Sequence, residues 1–220
     1  MVRTRTALSL AVILAALLCG LRALLASNVG FVVNCPLPAL GPGSLSGSNT
    51  LNFPYQRDGQ LVHAGDVLTD LGIANVSGVI KFLEPVDALT VYTGRKGGGP
   101  SFPLQAGEGY FIKMVRTVDY VIGGSSDPAV VLQLDAPGPA SRSGTNLVAL
   151  PYHATARTAS ELMEEIGLAN VASVQGFVTE TDGLRVYTGR KGSPPDFPID
   201  PCKSYFVKMK TTVSYIPSHY

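Results

Sequence analysis

An internal duplication constrains this chain more than any other feature, because a repeat fixes the number and size of folding units before any motif is read. Asn49-Thr-Leu-Asn-Phe-Pro-Tyr55 is matched by Asn146-Leu-Val-Ala-Leu-Pro-Tyr152, and Leu71-Gly-Ile-Ala-Asn-Val76 by Ile166-Gly-Leu-Ala-Asn-Val171. Val91-Tyr-Thr-Gly-Arg-Lys-Gly97 recurs unchanged at Val186 to Gly192, and Tyr110-Phe-Ile-Lys-Met114 returns as Tyr205-Phe-Val-Lys-Met209. The offset is 97 residues in the first part of the repeat and 95 in the rest, so the second copy lacks two residues. Upstream, Phe31 to Leu37 resembles Ala129 to Leu134, each followed by Pro- and Gly-rich sequence. The 220 residues divide into an N-terminal segment at 1–27, a first module at 28–125 and a second at 126–220, each module of ordinary domain size.

Within a module, Asn146 to Tyr152 alternates its apolar residues and stops at Pro151, as a strand does. Thr158-Ala-Ser-Glu161 has the spacing of a capping box, Leu162, Met163 and Ile166 follow on one helical face, and Gly167 stands where a C-terminal cap belongs. Asp66, Val67, Leu68, Leu71 and Gly72 repeat that pattern in the first copy. Val174 to Val178 and Leu184 to Thr188 read as strands joined across Thr181-Asp-Gly183, and Tyr205 to Lys208 with Val213 to Ile216 make a further pair. The predicted fold is mainly β with one short helix per module: two tandem homologous small sandwich or open-barrel modules. Gly at 24 and Pro at 16 residues fit short strands and tight turns better than a helical bundle.

Arg3 and Arg5 precede an apolar run from Ala7 to Leu18, interrupted by Ser9 alone, the pattern of a secretory signal. The alternative is a retained anchor spanning about residues 7 to 26, which would be the only attachment to a membrane. Either way the body is expected to be exported, to a secreted or cell-surface location. Lys and Arg total 17 against 16 acids, and Arg3, Arg5 and Arg22 lie in the N-terminal segment, leaving 14 against 16. That balance supplies no basic surface for nucleic acid. Cys35 and Cys202 are the cysteines outside the N-terminal segment. In an oxidising compartment an even count favours a disulfide, worth about 5 kcal/mol at most for so long a loop; two unpaired thiols are the alternative.

No catalytic constellation, metal set or cofactor motif emerges. His63, His153 and His219 have no metal-ligand spacing, and His63 falls at a helix N-cap. Glu161, Glu164 and Glu165 read as a solvated helix face, and Asp87 and Asp182 as hairpin-turn residues. Lys113 and Lys208, within apolar strands, read as solvent-facing residues that block edge pairing. Asn75-Val-Ser77 is a lone glycosylation sequon. The feature with most binding character is the duplicated Thr-Gly-Arg-Lys-Gly loop. Arg95 and Lys96 with Tyr92, and Arg190 and Lys191 with Tyr187, could contact an anion or an extracellular glycan. A connecting loop kept from the duplication, its charges serving solubility, is the plainer reading.

The Asn-Leu-Val-Ala-Leu-Pro strand, the short helix, the paired strands and the closing Gly-Glu-Gly-Tyr-Phe strand resemble a tandem β-rich repeat module of bacterial exported and cell-surface proteins. The resemblance covers nearly all of residues 28–220 and implies a β-rich extracellular module, not a reaction. The chain departs from it in having no Trp and in replacing Gly107-Glu-Gly109 by Cys202-Lys-Ser204 in the second copy. A cysteine in place of a turn glycine favours the Cys35–Cys202 bond. The expected function is a non-enzymatic structural or adhesive protein. Its leading strands could exchange between copies to build a homo-oligomer or filament. The alternative is a carbohydrate- or anionic-polymer-binding module.

Overall fold

The same order of elements is laid down twice. The computed structural model describes residues 31–53, 61–124 and 130–219; residues 1–30, with the N-terminal segment, residues 54–60, with the repeat's Pro54 and Tyr55, residues 125–129 and residue 220 lie outside them. Module 1 carries β1 (Phe31–Leu37), β2 (Ser48–Asn52), α1 (Ala64–Leu71), β3 (Val76–Leu83), β4 (Ala88–Tyr92), β5 (Gly109–Met114) and β6 (Val118–Gly124). Module 2 repeats them as β7 (Leu132–Leu134), β8 (Thr145–Ala149), α2 (Ala159–Ile166), β9 (Val171–Val178), β10 (Gly183–Tyr187), β11 (Ser204–Met209) and β12 (Val213–Tyr215). The architecture is mainly β with one short helix per module.

Each module is an antiparallel four-stranded sheet, β2-β5-β3-β4 or β8-β11-β9-β10, and a two-stranded ribbon, β1-β6 or β7-β12. Both leading strands therefore pair inside their own module. Leu37 opposes Val118 and Leu134 opposes Val213, so Leu37 corresponds to Leu134 and Cys35 to Leu132. Alternation along β5 turns Tyr110, Ile112 and Met114 to one face, where they pack with the buried helix residues Ala64, Val67, Leu68 and Leu71 and with Leu37, Tyr120 and Ile122 of the ribbon. Module 2 builds an equivalent core from Tyr205, Val207, Met209, the apolar face of α2 and Leu132, Leu134 and Tyr215. A sheet closed on one face by a helix and a ribbon gives each module the mainly β, one-helix make-up expected of a small sandwich or open barrel.

Polar residues of the repeat hold these layers in place. The buried Asn49 donates to Pro38 O at 2.9 Å and Gly47 O at 3.0 Å, tying the Pro/Gly-rich stretch after β1 to the sheet. Asn146 does the same at Asp135 O, 3.0 Å, and Gly144 O, 3.1 Å. Thr158 caps α2 by accepting from Glu161 N at 3.2 Å, and Glu161 accepts from Arg157 N at 2.6 Å. In module 1 Asp66 accepts from the backbone of Val62 and His63 at 2.9 and 2.7 Å. Glu161 thus serves as a capping group, and Glu165 accepts from Ser218 N, so the helix acids are not merely a solvated face. The amide of Asn75, in the sequon, closes the helix C-terminus on Leu71 O at 2.8 Å, as Asn170 does on Ile166 O at 3.1 Å.

Lys113 and Lys208 are exposed, but β5 and β11 are interior strands; the sheet edges are β2, β4, β8 and β10, so neither lysine guards an edge.

The second face of each sheet is covered by the other module. Phe82 meets Phe206 edge-on at 5.6 Å between ring centres, Phe111 meets Phe177 edge-on at 5.3 Å, and Phe111 and Phe206 lie 5.9 Å apart between them. Under the repeat offset Phe82 corresponds to Phe177 and Phe111 to Phe206, so the cluster is reciprocal. The hydrogen bonds are reciprocal too. Leu45 N reaches Thr179 O at 2.8 Å while Arg142 N reaches Glu84 O at 2.9 Å; Asn52 N reaches Cys202 O at 3.0 Å while Ala149 N reaches Gly107 O at 2.9 Å. Asp182 accepts from Ser46 Oγ, and Asp87 from Ser143 Oγ, each at 2.9 Å. The positive φ of Asp87 and Asp182, 51° and 50°, forms the hairpin turns and delivers their carboxylates across the junction.

Cys35 and Cys202 form a disulfide that joins β1 of module 1 to the turn before β11 of module 2. At the related position Leu132 lies over Gly107, where an added Cβ would come within 2.1 Å of Leu132 Cδ2. One rim of the junction is covalent and the other is a large side chain on a glycine. Removing a ring from the Phe cluster leaves a void that neither sheet can close, so Phe111→Ala should lower stability by about 3 kcal/mol. Lys113→Ala, two residues along the same strand, should change it little; equal midpoints for both variants in urea unfolding would show that the cluster does not hold the modules together.

Candidate functional site

The two basic loops leave the edge strands β4 and β10. In the first, Gly98 N bonds Arg95 O at 2.9 Å; in the second, Ser193 N bonds Arg190 O at 2.9 Å. Gly97 and Gly192 sit at the third position of these turns with φ of 86° and 83°, a conformation that glycine adopts without strain. Thr93 Oγ1 accepts from Arg95 N at 3.4 Å, and Ser193 Oγ accepts from Thr188 N at 3.0 Å, so each loop has an internal brace. Arg95, Lys96, Arg190 and Lys191 are exposed at the turn apices, and their side chains make no hydrogen bond or ion pair among the described residues.

Tyr92 and Tyr187 stand apart from those cations in role. Tyr92 is half-buried, packs on core 1 and lies against the first turn of α1, within 3.5 Å of where a Cβ on Gly65 would be. Tyr187 packs on core 2. The rings serve the core beneath each loop, and the cations project above it. No hydrogen bond or ring contact joins the two loops to one another among the described residues. Each loop is a separate, small, positively charged apex.

A second constellation was not visible in the linear sequence. A half-open cavity of about 270 Å³ opens at the module junction, lined by Lys81, Phe82, Glu84, Glu108, Ala140 and Leu147 among others. Lys81 Nζ holds both oxygens of Glu108, at 2.9 and 2.7 Å, and Tyr110 donates to Glu108 Oε2 at 2.6 Å. Burial, then the neighbouring Glu108, push the Tyr110 hydroxyl well above its ordinary range. Glu84 accepts from the Leu147 backbone of the other module, yet burial outweighs that bond, and with Glu108 and Asp135 nearby its carboxyl is raised to about 7. Lys81 is bonded to Glu108, so its charge only partly offsets the burial of Glu84, which also lines the cavity. The related positions in module 2 are Gly176, Thr179 and Lys203, so the charges are not duplicated. Residues 27 positions apart in one module, and a backbone amide from the other, meet only through the sheet and the junction.

The histidines are also brought together in part. His153 and His219, distant in sequence, stack edge-to-face at 4.9 Å, and burial, then His219, lower the His153 pKa. His63 stands at the N-cap of α1, apart from the other two, with Nδ1 3.9 Å from Asp66 Oδ2. Among the described residues no group of three or more His, Cys, Asp or Glu is placed to hold a metal ion. Among them, too, no helix is long and apolar enough to cross a membrane.

Comparison with known proteins gives no match: no family model, no curated protein and no solved structure matches this chain.

Glu84 makes the junction sensitive to pH. Well below pH 4.5 it is protonated in both folded and unfolded chains and has no effect on stability. Between about pH 4.5 and 7 the unfolded chain ionises and the folded one does not, so stability falls with rising pH until both forms are ionised. Glu84→Gln keeps an acceptor for Leu147 N–H without the charge. The variant should match the parent at pH 4 and exceed its stability at pH 8; an identical difference at both pH values in urea unfolding rules the effect out.

Proposed function

We propose that this chain is an exported, non-enzymatic structural or adhesive protein whose two modules act as one rigid unit. The observation that carries this reading is the module junction. Reciprocal ring contacts, reciprocal hydrogen bonds and a disulfide fix the two copies against each other. A disulfide across the junction suits an oxidising compartment, and with it the resemblance to modules of exported proteins. The described acids are largely occupied in structural work: Asp66 and Glu161 cap helices, Asp87 and Asp182 cross the junction, and Glu108 is held by Lys81 and Tyr110.

Self-assembly by strand exchange is part of this reading, and the two ribbons differ in what it would cost. β1 pairs with β6 over seven positions and is stapled through Cys35, whereas β7 pairs with β12 over Leu132 to Leu134 only. β7 is the strand that exchange would release first.

A second reading, binding of an anionic polymer or glycan, is favoured by one observation: Arg95, Lys96, Arg190 and Lys191 are exposed and uncommitted on braced turns. Two apices on one rigid body could engage a long polyanion at two points and gain avidity. Retention on immobilised heparin at low salt, with elution by added salt, is the expected outcome. The fourfold alanine variant at those positions should flow through with an unchanged melting temperature. Equal retention of both proteins removes the loops from the interaction. A chain that is not retained and also sediments as a monomer at every concentration would sink the polymer-binding and assembly readings together.

A further inference from the structure

We infer that the module junction also forms between chains. Module 1 of one copy docks on module 2 of another through the same face, and the Cys35–Cys202 bond then links the two covalently. The inference rests on the junction alone and goes beyond the adhesive reading, since it names the partner and the bond.

Among the described residues, no junction contact requires both modules to belong to one chain. The Phe cluster, the paired backbone bonds and the Ser–Asp bridges join residues of one module to residues of the other. Joining the two modules in one chain raises their effective concentration for one another, on the order of millimolar for a short covalent connection, and adds nothing to the contacts named above. A second copy can supply the same partner by mass action.

The junction also dictates which modules pair. Two copies of module 2 would bring Ser204 against Ser204, in a place where even the Cβ of an alanine at Gly109 would lie 2.5 Å from Ser204 Cβ. They would also set Cys202 under Leu132, where the observed partner is Gly107 and a Cβ would lie 2.1 Å from Leu132 Cδ2. Two copies of module 1 would place Cys35 over Gly107 and form no bond. Only the mixed pair satisfies both rims. Each chain then offers one Cys35 and one Cys202, on different modules, so exchange gives closed dimers or unbranched head-to-tail chains and never a branched network. With oxidised glutathione as oxidant, the two thiols lose two protons and two electrons, one disulfide forms, and two glutathione thiols are released.

Complementation tests this in the full chain. Cys19→Ser is made throughout, so that the only other cysteine, in the N-terminal segment, plays no part. One chain then carries C35S and the other C202S, and neither can staple itself. Reduced, mixed and reoxidised with glutathione, the pair should accumulate a two-chain species whose linked peptides contain Cys35 and Cys202. It should exceed either homodimer by about tenfold or more, the discrimination that a single overpacked contact provides. Absence of that species while both variants keep the parent's circular dichroism overturns the inference, and so does a Cys202–Cys202 homodimer formed as readily. If the cysteine variants lose their fold, the parent chain is used instead, reduced and reoxidised as a mixture of nitrogen-15-labelled and unlabelled protein at rising concentration. Isotopically mixed Cys35–Cys202 peptides in an oligomer ladder are then expected, and monomer alone up to millimolar concentration is the contrary result.

Discussion

The face-to-face contact around Phe111 and Phe206 is the constraint on which the rest of the structure depends. Each four-stranded sheet has one face closed by its own helix and ribbon, and a second face that carries Phe82 and Phe111 or Phe177 and Phe206. On a module standing alone that second face would be an apolar patch in water, a liability that soluble proteins keep small. Pairing the two copies closes both patches at once. The edge-on geometry adds about 0.5–1.5 kcal/mol per ring pair beyond burial, by the ordinary behaviour of aromatic quadrupoles. Duplication thus answers a packing problem: the sheet is two-faced, and its sister is the available complement.

A contact between repeats must satisfy a condition that a contact between strangers does not. Where a residue approaches the counterpart of its own neighbour, identical copies meet like with like, and like does not always fit. The phenylalanines tolerate it, because rings can meet edge to face. Gly109 and Ser204 do not, because β5 and β11 come too close there for two side chains. The copies diverge at such points: Gly faces Ser, Leu132 lies on Gly107, and Cys35 bonds Cys202. The duplication has become a pair of unequal halves with one permitted arrangement.

The division of the fold between local and non-local causes explains what could be read from the sequence. Strands, helices and hairpins were legible because periodicity and capping are local: Thr158, Gly167 and the Asp-Gly turn act within a few residues of themselves. The disulfide was legible because a cysteine replaces a turn glycine in one copy only. The junction was not, since nothing in Phe82 or Phe111 distinguishes a core ring from one that meets a sister module. The roles of Asp87 and Asp182 were half legible: their turns follow from sequence, while their bonds to Ser143 and Ser46 depend on the packing of the copies. The basic loops were legible as exposed cations, yet Tyr92 and Tyr187 belong to the cores below them. The Lys81–Glu84–Glu108 cavity was invisible for the same reason as the junction that creates it.

The two rims of that junction differ in kind, and the difference fixes where the molecule yields first. At one rim β1 is held by seven pairings with β6 and by the Cys35 bond, so opening there breaks a covalent link or carries module 2 with it. At the other, β7 is held over Leu132 to Leu134, and that rim grips module 1 by seating Leu132, with Val130 beside it, on Gly107. Few pairings and a small apolar contact place that rim at the low end of local stability. Opening there frees the strand that leads module 2 and uncovers the glycine turn of module 1, while the disulfide keeps the modules within reach of one another. The bond therefore does more than add to stability. It makes the weak rim a hinge that recloses on its own partner, and its reduction frees the whole face rather than one strand.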